Sequence, residues 1–175
     1  MPVSYGIVLV LIGLWSHQLF QSGIQSILLF VTSHLHFKVN MKLLLTGVTG
    51  FIGKKVAEKL VRGGHEIHAL VRKLPDDSFF TAGDIHYHVI AESSIKEIVS
   101  EVKPDVVIHI ASMFLAEHHH GDIEDLINSN VTFPTQLLDA MSLVGVNNFI
   151  NTGTSWQHYN SDSYNPVNLY AATKQ

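Results

Sequence analysis

Met41 to Gly53 reads MKLLLTGVTGFIG, an apolar run that ends in three glycines, Gly47, Gly50 and Gly53, spaced three apart. Leu43, Leu44 and Leu45 show no polar alternation, the pattern of a strand buried on both faces of a parallel sheet. The residues after Gly53 switch to a helical period. Strand, glycine turn and helix thus follow in the order of a dinucleotide-phosphate cradle. In such a turn the first glycine takes a positive φ, the second lets backbone approach a pyrophosphate, and the third lets helix and strand pack closely. The helix start, around Phe51 to Lys54, offers amide groups and the positive end of its dipole to an anion. Gly47, Thr49, Gly50, Phe51, Ile52 and Gly53 are therefore the candidate phosphate-binding residues.

Working outward, strands are expected at Lys42–Thr46, Glu66–Arg72, Ile85–Ile90 and Asp105–Ile110, with a fifth ending at Phe149–Thr152. Helices are expected at Phe51–Arg62, stopped by Gly63-Gly64, and from Ser93 or Ser94, with Ile95, Ile98, Val99 and Val102 on one face and Pro104 at the end. A long helix runs from about Asp122 to Leu143, with a bend near Pro134 and a stop at Gly145. Alternating β and α units demand a parallel sheet with right-handed crossovers, so the fold class is α/β, a Rossmann-like doubly wound sheet.

At the far end, Tyr170 and Lys174 stand four apart in LYAATKQ, a segment of good helix formers. Residues i and i+4 share a helix face, so the ammonium can sit near the phenol and near a bound ribose. A neighbouring positive charge would move the phenol down from its usual pKa of about 10, toward exchange of a proton with an alcohol or carbonyl. Taken alone, the pair reads as an ordinary solvated helix face; the glycine turn upstream gives it meaning.

With both ends in view, residues 41–175 resemble the extended short-chain dehydrogenase/reductase superfamily of NAD(P)-dependent nucleotide-sugar epimerases, dehydratases and reductases. TGVTGFIG is similar to that family's TGxxGFIG turn and YAATK to its YxxxK signature. VVIHIAS at Val106 to Ser112 is similar to its fourth strand, and Asn130-Val131 to its recurring Asn-Val pair. NTGTSWQHYN followed by NPVNLYAATKQ is similar to CDP-abequose and paratose synthases. The resemblance implies Tyr170 as proton donor and Lys174 as the group that tunes it and holds ribose. It implies Thr154, with Ser155 as the fallback, as the hydroxyl on the reacting oxygen, and Ala111 beside the cofactor. Trp156, Gln157, His158 and Tyr159 would line the mouth of the site or simply pack the loop. A small-molecule nucleotide sugar is the implied partner, and homodimers occur in the full-length family. A non-catalytic dinucleotide-binding module is the alternative.

Cofactor choice is read at the tip of Glu66–Val71. A carboxylate there would bond the ribose 2′-hydroxyl of NAD, but the tip reads Val71, Arg72, Lys73. A guanidinium at Arg72 can hold a 2′-phosphate through two hydrogen bonds, so NADP(H) is preferred over NAD(H). The aspartate that the family often places after the third strand is missing, since Asp84 precedes that strand; the adenine contact stays unassigned.

Residues 1–40 form an apolar leader with no Asp, Glu, Lys or Arg before Lys38. Its runs Ile7–Trp15 and Ile24–Val31 are each shorter than the roughly 20 residues of a spanning helix. Three readings stand: an upstream stretch translated from a wrongly chosen start, with Met41 the natural one; a membrane anchor with the domain facing the cytoplasm by its flanking lysines; or a packing extension. At the other end, Gln175 follows directly on Lys174, so the expectation is a Rossmann part without a substrate domain, marginally stable and inactive alone. Its sheet would end on an open edge, and its first helices would lack partners for their apolar faces.

The net charge of −4 with 11 basic residues excludes a nucleic-acid surface. Absence of cysteine excludes disulfides and thiolate metal sites and fits a cytoplasmic location. No metal is expected: His118, His119 and His120 are adjacent in a loop and read as a polar cover over the cofactor cleft, and His109 reads as a satisfied core histidine.

Overall fold

Leu43, Leu44 and Leu45 are all completely buried, because the strand that carries them lies in the middle of a parallel sheet with helices on both sides. The computed structural model describes residues 6–12, 40–75, 85–91, 93–160 and 162–174, the first of these as backbone only. Six strands are formed: β1 (Gly6–Ile12), β2 (Lys42–Thr46), β3 (Glu66–Val71), β4 (Ile85–Val89), β5 (Val106–His109) and β6 (Asn148–Thr154). They are ordered β1-β6-β5-β2-β3-β4, every pairing parallel. The chain reverses its direction of travel across the sheet between β2 and β5, the switch point at which such folds open a crevice above the strand ends.

Helix α1 (Phe51–Arg62) packs Val56, Ala57 and Leu60 on one face of the sheet, over Leu43, Leu45, Ile67, Ala69, Val106 and Ile108. Helices α2 (Ile95–Val102) and α4 (Phe133–Val144) cover the other face, over Leu44, Leu70, Val107 and Phe149. Successive residues of each strand thus feed opposite cores, the arrangement that an unbroken apolar run allows. Ser94 opens α2 with a complete capping box: its hydroxyl accepts from the Glu97 N–H, and the Glu97 carboxylate accepts from the Ser94 N–H at 2.9 Å. Lys103, in the left-handed region at φ 46, and Pro104 end it.

Three expectations are corrected. The apolar face of α1 does not lack a partner, since Val56, Ala57 and Leu60 are buried against the sheet. β6 is not an open edge: β1 lies alongside it from Gly6↔Asn148 to Ile12↔Thr154, so part of the leader serves as a sheet strand. The long helix expected from Asp122 keeps helical backbone to Val144 but is not regular: a 3-10 turn at His120–Asp122 and helix α3 (Ile123–Ile127) lead through a π-helical turn at Asn128–Thr132, beside the expected bend at Pro134, into α4. Pro134 has no N–H to give, and the turn before it widens so that the Phe133 N–H reaches the carbonyl of Asn128, five residues back. Among the described residues no helix is long and apolar enough to cross a membrane. The rest of the leader and Asp84 lie outside the described residues.

Candidate active site

Thr46 ends β2 and turns its side chain into the crevice between β2 and β5. Its hydroxyl oxygen accepts the N–H groups of Ile110 and Ala111, both at 3.1 Å, and lies 2.7 Å from Nδ1 of the buried His109. With two donors already on that oxygen, its own proton goes to Nδ1, which leaves the imidazole proton on Nε2. Burial and the charge of Lys174 lower the His109 pKa to about 3, so the ring stays neutral.

The glycine turn begins one residue on. Gly47 has φ +75, and a Cβ there would meet the Ala111 nitrogen at 2.6 Å. A Cβ on Gly53 would run into the Gly47 carbonyl and come within 2.9 Å of the Val48 Cα. These two positions therefore require glycine. A Cβ on the exposed Gly50 would meet only the Gly47 oxygen, at 3.3 Å, so its outer side is left to whatever binds there. Gly50 also caps α1 without a side-chain hydrogen bond, and no acidic residue occupies the first turn of that helix. The dipole end is consequently offered to an anion from outside the chain. Thr49 and Phe51 are exposed on this turn and Ile52 is half-buried. The residues present fit a dinucleotide diphosphate.

Ser112, just past Ala111, leads from this turn to the tyrosine. Tyr170 is 7% exposed, and the side chains of Ser112 and Thr154, at the ends of β5 and β6, are the polar groups that act on its hydroxyl. Phe114 packs edge-on against its ring at 4.9 Å and Trp156 at 6.4 Å. Thr154 is buried, whereas Ser155 is exposed. Tyr170 sits in α5 (Leu169–Ala172), capped by Asn168, whose side chain accepts from the Ala171 N–H and donates to the Ala116 carbonyl. Lys174 follows in a tighter turn, its N–H on the Ala171 carbonyl three residues back, and is 4% exposed. Burial lowers its pKa to about 8.

The tyrosine corrects one expectation. Its pKa is raised by burial, against which the bonds from Ser112 and Thr154 pull downward; the ammonium of Lys174 is not among the influences that set it. Spacing along a helix places two side chains on one face but is silent on how much water is lost around them.

Two residues whose positioning role was not foreseen hold this arrangement. Asn130, buried in the π turn, accepts from the Met113 N–H at 2.8 Å and donates to the Met113 carbonyl and the Thr173 hydroxyl. It joins the loop after β5 to the segment that carries Lys174. Gln157 takes the Thr154 N–H on Oε1 and donates to the Lys174 carbonyl at 3.0 Å, so it packs the loop and does not line a mouth. Ser112 is the third such omission, since the strand-end motif that contains it points at no single side chain. Arg72 is exposed at the tip of β3, and His118, His119 and His120 are exposed, with the His119 N–H on Asp122 Oδ2.

No curated protein matches the chain. Among solved structures, the fold is similar to the Bordetella bronchiseptica enzyme WbmH in complex with NAD+, at TM-score 0.65 and 19% identity, over 77% of this chain and 49% of that one. It is similar to UDP-glucuronic acid 4-epimerase from Bacillus cereus in complex with NAD, at TM-score 0.61 and 21% identity, over 77% and 49%. It is also similar to the UDP-Glc/GlcNAc 4-epimerase from the human pathogen Campylobacter jejuni, at TM-score 0.66 and 19% identity, over 77% and 46%. The chain thus spans about half the length of these structures. The model of the NAD dependent epimerase/dehydratase family matches residues 43–175, and the chain accordingly belongs to that family.

Proposed function

We propose that the chain binds a nicotinamide dinucleotide over the turn between β2 and α1 and carries the acid–base group of an epimerase, dehydratase or reductase acting on a nucleotide sugar. The observation that carries this is the glycine turn left open to an anion at the uncapped start of α1, with Tyr170, Thr154 and Lys174 buried at the same end of the sheet. A bound nicotinamide supplies the hydride exchange. Tyr170 Oη gives or takes the proton of the sugar oxygen, the Thr154 hydroxyl orients that oxygen, and the Lys174 ammonium holds ribose hydroxyls. CDP-abequose-type and UDP-sugar substrates both fall within this class. The chain spans about half of these relatives, and we expect these 175 residues to bind dinucleotide without turnover.

Arg72 favours NADP(H), although two of the relatives named above, the Bordetella and Bacillus enzymes, were solved with NAD+ or NAD. Titration of NADPH and NADH by nicotinamide fluorescence tests both statements. Tighter binding of NADPH, with a loss of about tenfold in Arg72→Ala and none for NADH, is expected from one charge-assisted bidentate contact. A preference for NADH reverses the cofactor assignment, and no binding of either removes the reading altogether. NADPH consumption with a 4-keto sugar nucleotide by this chain would refute the expectation of no turnover.

A dinucleotide-binding module without catalysis is the second reading. In a longer protein that carries this segment, Tyr170→Phe separates the two: it abolishes turnover for the enzyme and changes nothing for the binder.

A further inference from the structure

Four titratable side chains crowd the opposite end of the sheet, on the strands farthest from the active site. β3 and β4 pair in parallel with His68 opposite His86 and Leu70 opposite His88. Glu66, His68, His86 and His88 therefore alternate with apolar residues and project from one face of the sheet, the face covered by α2. His68 is 9% exposed and lies between two rings, stacked on His86 at 4.8 Å and on His88 at 5.1 Å. Its Nδ1 is 2.8 Å from Nε2 of His88, and its Nε2 is 2.8 Å from Oε1 of Glu66. One nitrogen each of His68 and His86 and one oxygen of Glu66 all lie within 4.8 Å of one another.

We propose that Glu66, His68 and His86 bind a divalent transition-metal ion of the zinc type, which ties the outermost strand β4 to β3. Two imidazoles and a carboxylate are a donor set for zinc, with a fourth position left to water. A hydrogen-bond chain from Glu66 through His68 to His88 accounts for three of the four side chains without any metal, but it gives the exposed His86 ring no part. With a metal on Nε2 of His68, the Nδ1–H donates to His88, which then fixes the orientation of the ligand ring as the outer partners of metal-bound histidines do. Tetrahedral bonds of about 2.0–2.1 Å put ligand atoms about 3.4 Å apart, so the 2.8 Å His68–Glu66 pair must open slightly while His86 closes in, and rotation of its exposed ring supplies that movement. Two charged groups face the cluster. The Lys42 ammonium is 3.3 Å from Glu66 Oε1 and, itself partly exposed, swings toward water when the carboxylate turns to the ion. Glu101 of α2 acts electrostatically on His88 and adds negative charge in favour of a cation.

The full 175-residue chain, stripped with EDTA, is titrated with Zn2+ against a chromophoric chelator. One equivalent is expected to bind, with affinity falling on the order of 10–100-fold in both His86→Ala and Glu66→Gln. The triple variant His118→Ala, His119→Ala, His120→Ala is expected to bind as the unaltered chain does. No stoichiometric binding, binding that survives both substitutions, or binding lost only in the triple variant would overturn the proposal. Zinc-edge X-ray absorption of the unaltered chain checks the same point without any substitution: two imidazoles in the ligand shell support the site, and a spectrum without imidazole scattering refutes it.

Discussion

Burying His109 beneath the active site makes the fold sensitive to acid. Its folded pKa is about 3, against about 6.5 unfolded, so between those values the unfolded chain takes a proton that the folded chain refuses. Stability is therefore lost as pH falls from 6.5 toward 3, by on the order of 4 kcal/mol in all, and by about 2 kcal/mol between pH 7 and pH 5. His109→Asn keeps an acceptor for the Thr46 hydroxyl and cannot titrate; urea unfolding at the two pH values should show the drop shrink by about that amount. His65 and His88, whose pKa values burial also lowers, leave a smaller slope. Lys174 works at the other end of the scale. Its folded pKa of about 8 lies below the unfolded value near 10.5, so the buried ammonium costs stability below pH 8, and stability rises from there to 10.5. Lys174→Met should raise stability at pH 7 by about 1–3 kcal/mol and flatten that rise, the mark of a residue kept at a cost to the fold. The positions of Tyr170, Lys174, Thr154 and His109 were legible in the sequence. The upward shift at Tyr170 was not, because Phe114 and Trp156, which help to bury it, come from distant loops.

At the scale of an element, the turn between β2 and α1 tolerates no added atom at its third glycine. Gly53→Ala places a methyl on the Gly47 carbonyl, which backbone cannot yield without opening the turn. We expect a loss of about 2 kcal/mol or more in urea unfolding, together with loss of dinucleotide binding in the fluorescence titration. Asn130→Ala leaves the Met113 N–H and carbonyl without their partner, while the Thr173 hydroxyl keeps its bond to the Tyr170 carbonyl; a loss of roughly 2–4 kcal/mol is expected by the same measurement. The turn was readable because glycine spacing encodes backbone geometry directly, and the start of α2 because Ser94 and Glu97 form a reciprocal cap. The π turn was not: Pro134 announces a missing donor, but how the chain reroutes its carbonyls depends on what Asn130 must hold together.

At the scale of the whole molecule, a parallel, doubly wound sheet could be read, since alternating β and α units with right-handed crossovers leave few arrangements. The place of β1 could not, because a short apolar segment names no neighbour. Its seat beside β6 makes Gly6–Ile12 part of the sheet. Removal of residues 1–40 should uncover the β6 edge, lower the urea midpoint and promote self-association visible by size-exclusion chromatography; a shortened chain as stable and monomeric as the whole one would refute this. That seat also has a consequence during synthesis. Gly6 must find Asn148, far along the chain, so this segment is synthesised long before the strand that becomes its neighbour. Throughout that delay an apolar stretch stays without its strand partner, the kind of transiently exposed surface that invites self-association.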